Sequence, residues 1–120
     1  MDILANVLVG LVAALHLYIL VMEMFLWQKP AGMSFHGFDA ELARRTASMA
    51  ANQGLYNGFL AAGLVWGLVA GDPTGFAAQV FFLSCVIVAG VYGAVTANRR
   101  ILVAQALPGA VALAAVLLAR

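Results

Sequence analysis

Glu23 is the one acidic residue inside a long apolar stretch of this chain. A charged side chain costs at least about 2.5–3.5 kcal/mol at the centre of a bilayer, so it is expected to face protein rather than lipid. The chemistry open to such a carboxyl is proton transfer. His16 lies seven residues before it and Trp27 four residues after it, which puts all three on one helical stripe. A second polar group is contiguous: Asn52-Gln53-Gly54-Leu55-Tyr56-Asn57. Positions 52 and 56 share a helix face, as do 53 and 57. Amides and a phenol at this spacing can orient a ligand or stabilise developing charge. Tyr92 and Thr96, one turn apart, and Gln105 complete the set. The resulting expectation makes Glu23 the general acid or base, with His16 as its relay. Asn52, Gln53, Tyr56, Asn57, Tyr92, Thr96, Gln105 and Trp27 are the candidate ligand-binding residues. A structural alternative stands beside each. Polar side chains between membrane helices also hold helices together, at about 0.6 kcal/mol per contact. His16 can be a satisfied core histidine, Trp27 an interfacial packing residue, and His36 a solvated link residue.

These residues need elements to position them, and composition says which. Hydrophobic residues make up 65% of the 120 and charged residues 9%, with a mean hydropathy of +1.02. A soluble domain carries about a quarter charged residues, so this chain cannot cover a folded surface with polar groups. A membrane-crossing helix needs roughly 20 mostly apolar residues. Four stretches qualify, at about 3–27, 46–70, 76–97 and 101–119, and the helix of the second is expected to start earlier, giving helices at about 3–27, 40–70, 76–97 and 101–119. They predict an all-α, single-domain chain over 1–120: a four-helix transmembrane bundle, up-down-up-down. Asp39 reads as the N-cap of the second helix, with Glu41 in its first turn. Gly71-Asp72-Pro73-Thr74-Gly75 has the composition of a tight turn. Pro108 frees the carbonyl of Ala104 and is expected to kink the fourth helix.

Charge placement gives an orientation. Lys29, Arg44, Arg45, Arg99 and Arg100 fall on one side of such a bundle, and Arg120 on the other. The positive-inside rule then puts both termini outside the cytoplasm. Most of the polar candidates fall in the cytoplasmic half, which predicts a polar cavity open toward the cytoplasm and a dry far end. Gly54-x-x-x-Gly58 and Gly63-x-x-x-Gly67 allow close helix approach, either within one chain or in a homo-oligomer.

Other classes of function have little to stand on. A net charge of +1 offers no electrostatic footprint for nucleic acid. His16 and Glu23 are about 10 Å apart along one helix, too far to chelate one metal together. No haem, flavin or nucleotide motif is present, so no cofactor is expected. The single Cys85 can form no internal disulfide and reads as a structural thiol. Met1-Asp2-Ile3 lacks a basic region and the apolar run to Trp27 is too long for a signal core, so the first helix is expected to be retained.

The blocks His16-Leu17-Tyr18-Ile19, Glu23-Met24-Phe25-Leu26-Trp27, Asn52 through Gly63 and Val91-Tyr92-Gly93-Ala94-Val95-Thr96 resemble the DUF1304 family of small bacterial membrane proteins. The resemblance spans nearly the whole chain. It implies a compact four-span protein of the bacterial inner membrane, marks the same polar positions, and implies little about activity. Small multidrug-resistance transporters share the span number and a first-helix glutamate, whereas Glu23 stands near the end of its span in a different motif. Three functions follow as alternatives. The first is binding or conversion of a small lipophilic molecule, with Glu23 as acid or base. The second is proton-coupled export of such molecules. The third is a structural or regulatory subunit.

Overall fold

In the computed structural model, residues 2–119 are described, and every regular element among them is helical. The orientation argument from Arg120 falls outside the described residues. Five α-helices occur in chain order: α1 (Ile3–Met24), α2 (Pro30–His36), α3 (Ala40–Val69), α4 (Thr74–Thr96) and α5 (Leu107–Leu118). A π-helical stretch, Leu102–Ala106, leads into α5.

Local chemistry accounts for most boundaries. Oδ1 of Asp2 accepts the N–H groups of Leu4 (2.8 Å) and Ala5 (3.3 Å), which caps α1. Oδ1 of Asp39 accepts Leu42 N–H at 2.8 Å, so Asp39 caps α3 as its sequence position predicts. α1 ends at Met24 and not at residue 27. Leu26 N–H turns back to the carbonyl of Val21, five residues behind it, and closes the helix. Lys29, immediately before Pro30, is held extended (φ −87°, ψ 165°), which bars a continuous helix through the link. Pro30 instead opens α2, a seven-residue helix within what reads in sequence as a plain link. Gly37 ends α2 in the left-handed region at φ 72°, where a side chain is disfavoured. Asp72–Pro73 is a cis peptide in the turn between α3 and α4.

The fourth apolar stretch departs from an even helix in the way Pro108 requires. Proline has no N–H to donate and its ring crowds the carbonyl four residues back. Leu107 N–H bonds to the carbonyl of Leu102, five residues back, and this wider turn precedes Pro108.

The chain forms two compact units. One takes the N-terminal residues up to Ala13 together with the chain from Leu60 onward; the other is Ala14–Phe59. The first has a core of Val9, Leu64, Leu83, Val86, Ala112 and Val116, among others, each buried. There Gly63 faces Phe82, and Gly67 faces Gln79, whose Nε2 donates to the Gly67 carbonyl at 2.9 Å. In the second unit Gly54 and Gly58 face α1. Both glycine pairs are therefore occupied by helices of the same chain.

Two helices among the described residues, α1 and α4, are long and apolar enough to cross a membrane. α3 is longer but carries Asn52, Gln53 and Asn57 in mid-helix. Leu102–Leu118 is apolar and shorter.

Candidate functional site

The unit Ala14–Phe59 contains Glu23, and the packing of α1 against α3 decides its surroundings. Gly54 is buried at this crossing. A Cβ there would come within 3.1 Å of Glu23 Cβ and 3.3 Å of the Leu20 carbonyl. The absent side chain is what lets α3 approach the α1 backbone at Glu23.

Asn57, three residues on, falls on the same side of α3 and reaches the acid. Its Nδ2 donates to Oε1 of Glu23 at 2.7 Å and to the carbonyl of Gln53 at 3.2 Å. A backbone carbonyl can only accept, so it is the amide nitrogen of Asn57, and not its oxygen, that faces Gln53 and Glu23. Both side chains are half-buried. The ion pair found among the described residues joins Arg44 to Glu41 at 2.5 Å, both exposed, and does not involve Glu23.

The other predicted residues divide. Asn52, Gln53 and Tyr56 have exposed side chains. Each residue turns a helix by about 100°, so positions 52 and 56 point roughly 160° away from Gly54. Tyr56 instead meets Phe59, with ring centroids 6.1 Å apart. Gln53 contributes its carbonyl. His16, two turns before Glu23 on α1, is fully buried and has an interaction of its own.

Trp27 does not continue the α1 stripe, because the helix has ended before it. Its indole Nε1 donates to Oγ1 of Thr46 at 3.0 Å, and that hydroxyl donates to the Leu42 carbonyl at 2.8 Å. The indole lies 4.2 Å from the His36 ring and 5.8 Å from Phe38. His36 is no solvated link residue. Its Nδ1 accepts Phe38 N–H at 2.9 Å, which requires a lone pair on Nδ1. Nε2 is then the protonated nitrogen and donates to the Trp27 carbonyl at 2.7 Å. Thr46, His36 and Phe38 thus form a lock around Trp27 that spacing rules do not reveal. The only sequence signal is the density of aromatic rings around the link.

Tyr92, Thr96 and Gln105 belong to the other unit. Thr96 Oγ1 donates to the Tyr92 carbonyl at 2.7 Å, one turn back on α4. The Tyr92 side chain is 70% exposed and borders an apolar groove with Phe81, Cys85 and Val88. Gln105 is half-buried in the π-helical stretch and engaged in an interaction. A separate cavity of about 150 Å³ in this unit is lined by Asp2, Asn6, Asp72, Phe76 and Gln79. Among the described residues no three His, Cys, Asp or Glu side chains are grouped to hold a metal ion.

Fold and site together define an all-helical protein with two helices of membrane-crossing length and apolarity, and an acid–amide pair joining α1 to α3. The chain belongs to the DUF1304 family, described as proteins of unknown function, whose family model matches residues 10–117. Neither the curated proteins nor the solved structures include a match to it.

Proposed function

We propose that this chain is a multi-pass protein of the inner membrane that binds, or chemically converts, a small lipophilic molecule at the Glu23–Asn57 pair. α1 and α4 meet the requirements for crossing, and α3 and the apolar run ending in α5 complete four spans in this reading. The five basic residues at positions 29, 44, 45, 99 and 100 support an orientation with those links in the cytoplasm and both termini outside.

The observation that carries the functional reading is a carboxyl on an apolar helix with an amide partner and no cation. Asn57 is the partner its carboxyl has among the described residues. No buried side-chain oxygen among them lacks a partner, so Oε2 of Glu23 remains reachable. A half-buried, hydrogen-bonded acid with one open oxygen is suited to hold a ligand or to exchange a proton with it.

A structural reading has one observation of its own: Asn57 spends both amide protons inside the chain. Glu23→Gln separates the two. Glutamine keeps a carbonyl oxygen for Asn57 and removes the acid. Wild type and variant are purified in mild detergent, and their bound small molecules are identified by mass spectrometry. A compound retained by wild type and lost from a stably folded variant supports the site. Identical bound contents and identical stability would leave only the structural role.

A further inference from the structure

We infer that the Glu23–Asn57 site selects a lipophilic amine, held as its ammonium ion through N–H donors; this rests on the reading of the pair as a ligand site. The inference comes from counting hydrogens. Asn57 has two amide protons, and both are spent, on Glu23 Oε1 and on the Gln53 carbonyl. Gly54, at the crossing, has no side chain to offer. Asn52 and Tyr56 carry donors but point away from the crossing and are exposed; the Gln53 side chain, on the Asn57 face, is exposed too, and its amide can turn either its oxygen or its nitrogen to a ligand. The groups of the pair left without a protein partner are Oε2 of Glu23, an acceptor when the carboxyl is ionised, and Oδ1 of Asn57, an acceptor always.

An ionised carboxylate beside an amide oxygen favours a ligand that donates. A carbonyl or carboxylate ligand would set acceptor against acceptor and leave its own oxygen unsatisfied in an apolar setting, which is costly. A hydroxyl supplies one donor. An alkylammonium supplies up to three, together with a positive charge, and the ion pair found among the described residues, Arg44 with Glu41, does not involve Glu23. A charge-assisted N–H···O bond is about twice as strong as a neutral one. The half-buried apolar side chains of Ile19 and Leu20, one turn before Glu23 on the same side of α1, supply surface for the alkyl tail.

The test uses the full chain in phosphatidylcholine nanodiscs and five probes with the same tail: dodecylamine, dodecanol, dodecyltrimethylammonium, dodecanoate and methyl dodecanoate. Binding is read as the difference between wild type and Glu23→Gln, which removes non-specific partitioning. Dodecylamine is expected to bind saturably and about tenfold or more tighter to wild type. Dodecyltrimethylammonium, which has the charge and no N–H, is expected to bind more weakly than the amine. Dodecanoate and methyl dodecanoate are expected to show no dependence on Glu23. Binding of either acceptor probe that depends on Glu23 and exceeds that of the amine overturns the inference and leaves the site standing. Absence of any probe whose binding depends on Glu23 overturns the site and the inference together. If Glu23→Gln does not fold, Glu23→Asp keeps a carboxylate and decides the matter. Amine above ester in that variant supports the inference, and ester above amine overturns it.

Discussion

Asn57 Nδ2 sits 2.7 Å from Oε1 of Glu23, across 34 residues of sequence, and 3.2 Å from the carbonyl of Gln53 on its own helix. The second bond fixes which way the amide faces. The first then ties α1 to α3 at the point where Gly54 lets them approach. One asparagine both braces the crossing and sets the polarity of the site.

Removing that brace has a measurable cost. Asn57→Ala is expected to destabilise the protein by about 1–3 kcal/mol, because it strips a hydrogen bond from a half-buried carboxyl. A double-mutant cycle with Glu23→Ala should show a coupling of about 0.5–2 kcal/mol. Unfolding titrations with a denaturing detergent measure both. A coupling near zero would mean that the pair does not act as a unit.

Gly54 and Gly10 offer a paired comparison on different helices. A Cβ at Gly54 meets α1, whereas one at Gly10 meets nothing within 4 Å. Gly54→Val should cost about 1–3 kcal/mol through overpacking. Gly10→Ala should be neutral or stabilising by up to about 1 kcal/mol, since it removes backbone freedom from the unfolded chain. Thermal melts of the two variants beside wild type test the contrast.

The left-handed turn after α2 depends on Gly37. With φ at 72°, Gly37→Ala is expected to cost about 1–2 kcal/mol. The effect should appear first as faster proteolysis of the link between α1 and α3, because the strain acts on that turn. Unchanged cleavage kinetics would contradict the prediction.

Thr46 and His36 hold Trp27 by separate bonds. Thr46→Val leaves the indole N–H without its partner and should cost about 1 kcal/mol. His36→Phe keeps a ring for stacking and removes both ring-nitrogen bonds, at about 1–3 kcal/mol. In a Trp66→Phe background the fluorescence of Trp27 reports each change. An emission maximum that stays put in both variants would show that neither bond positions the indole.

Glu23 and the polar cluster in α3 stand out in sequence because cost singles them out: a polar group in an apolar helix needs a reason. The start of α3 at Asp39 is equally legible, since an N-cap acts within one turn of chain. α2 was not legible. Seven residues without an apolar period carry no helical signal, and Pro30 and Gly37 mark its ends without announcing its interior.

What the sequence by itself determined is therefore local: helical segments, most of their ends, and a shortlist of polar residues whose presence is expensive. Periodicity assigns residues to faces of one helix, and it says nothing of which face meets another helix. That phase was decided only in the tertiary structure, by Gly54 seated against α1. It turned Asn57 toward Glu23 and left Asn52 and Tyr56 exposed on α3. Trp27 follows the same rule. Its sequence position suggested the α1 stripe, and its actual partners, Thr46 and His36, come from a chain reversal that no local spacing encodes.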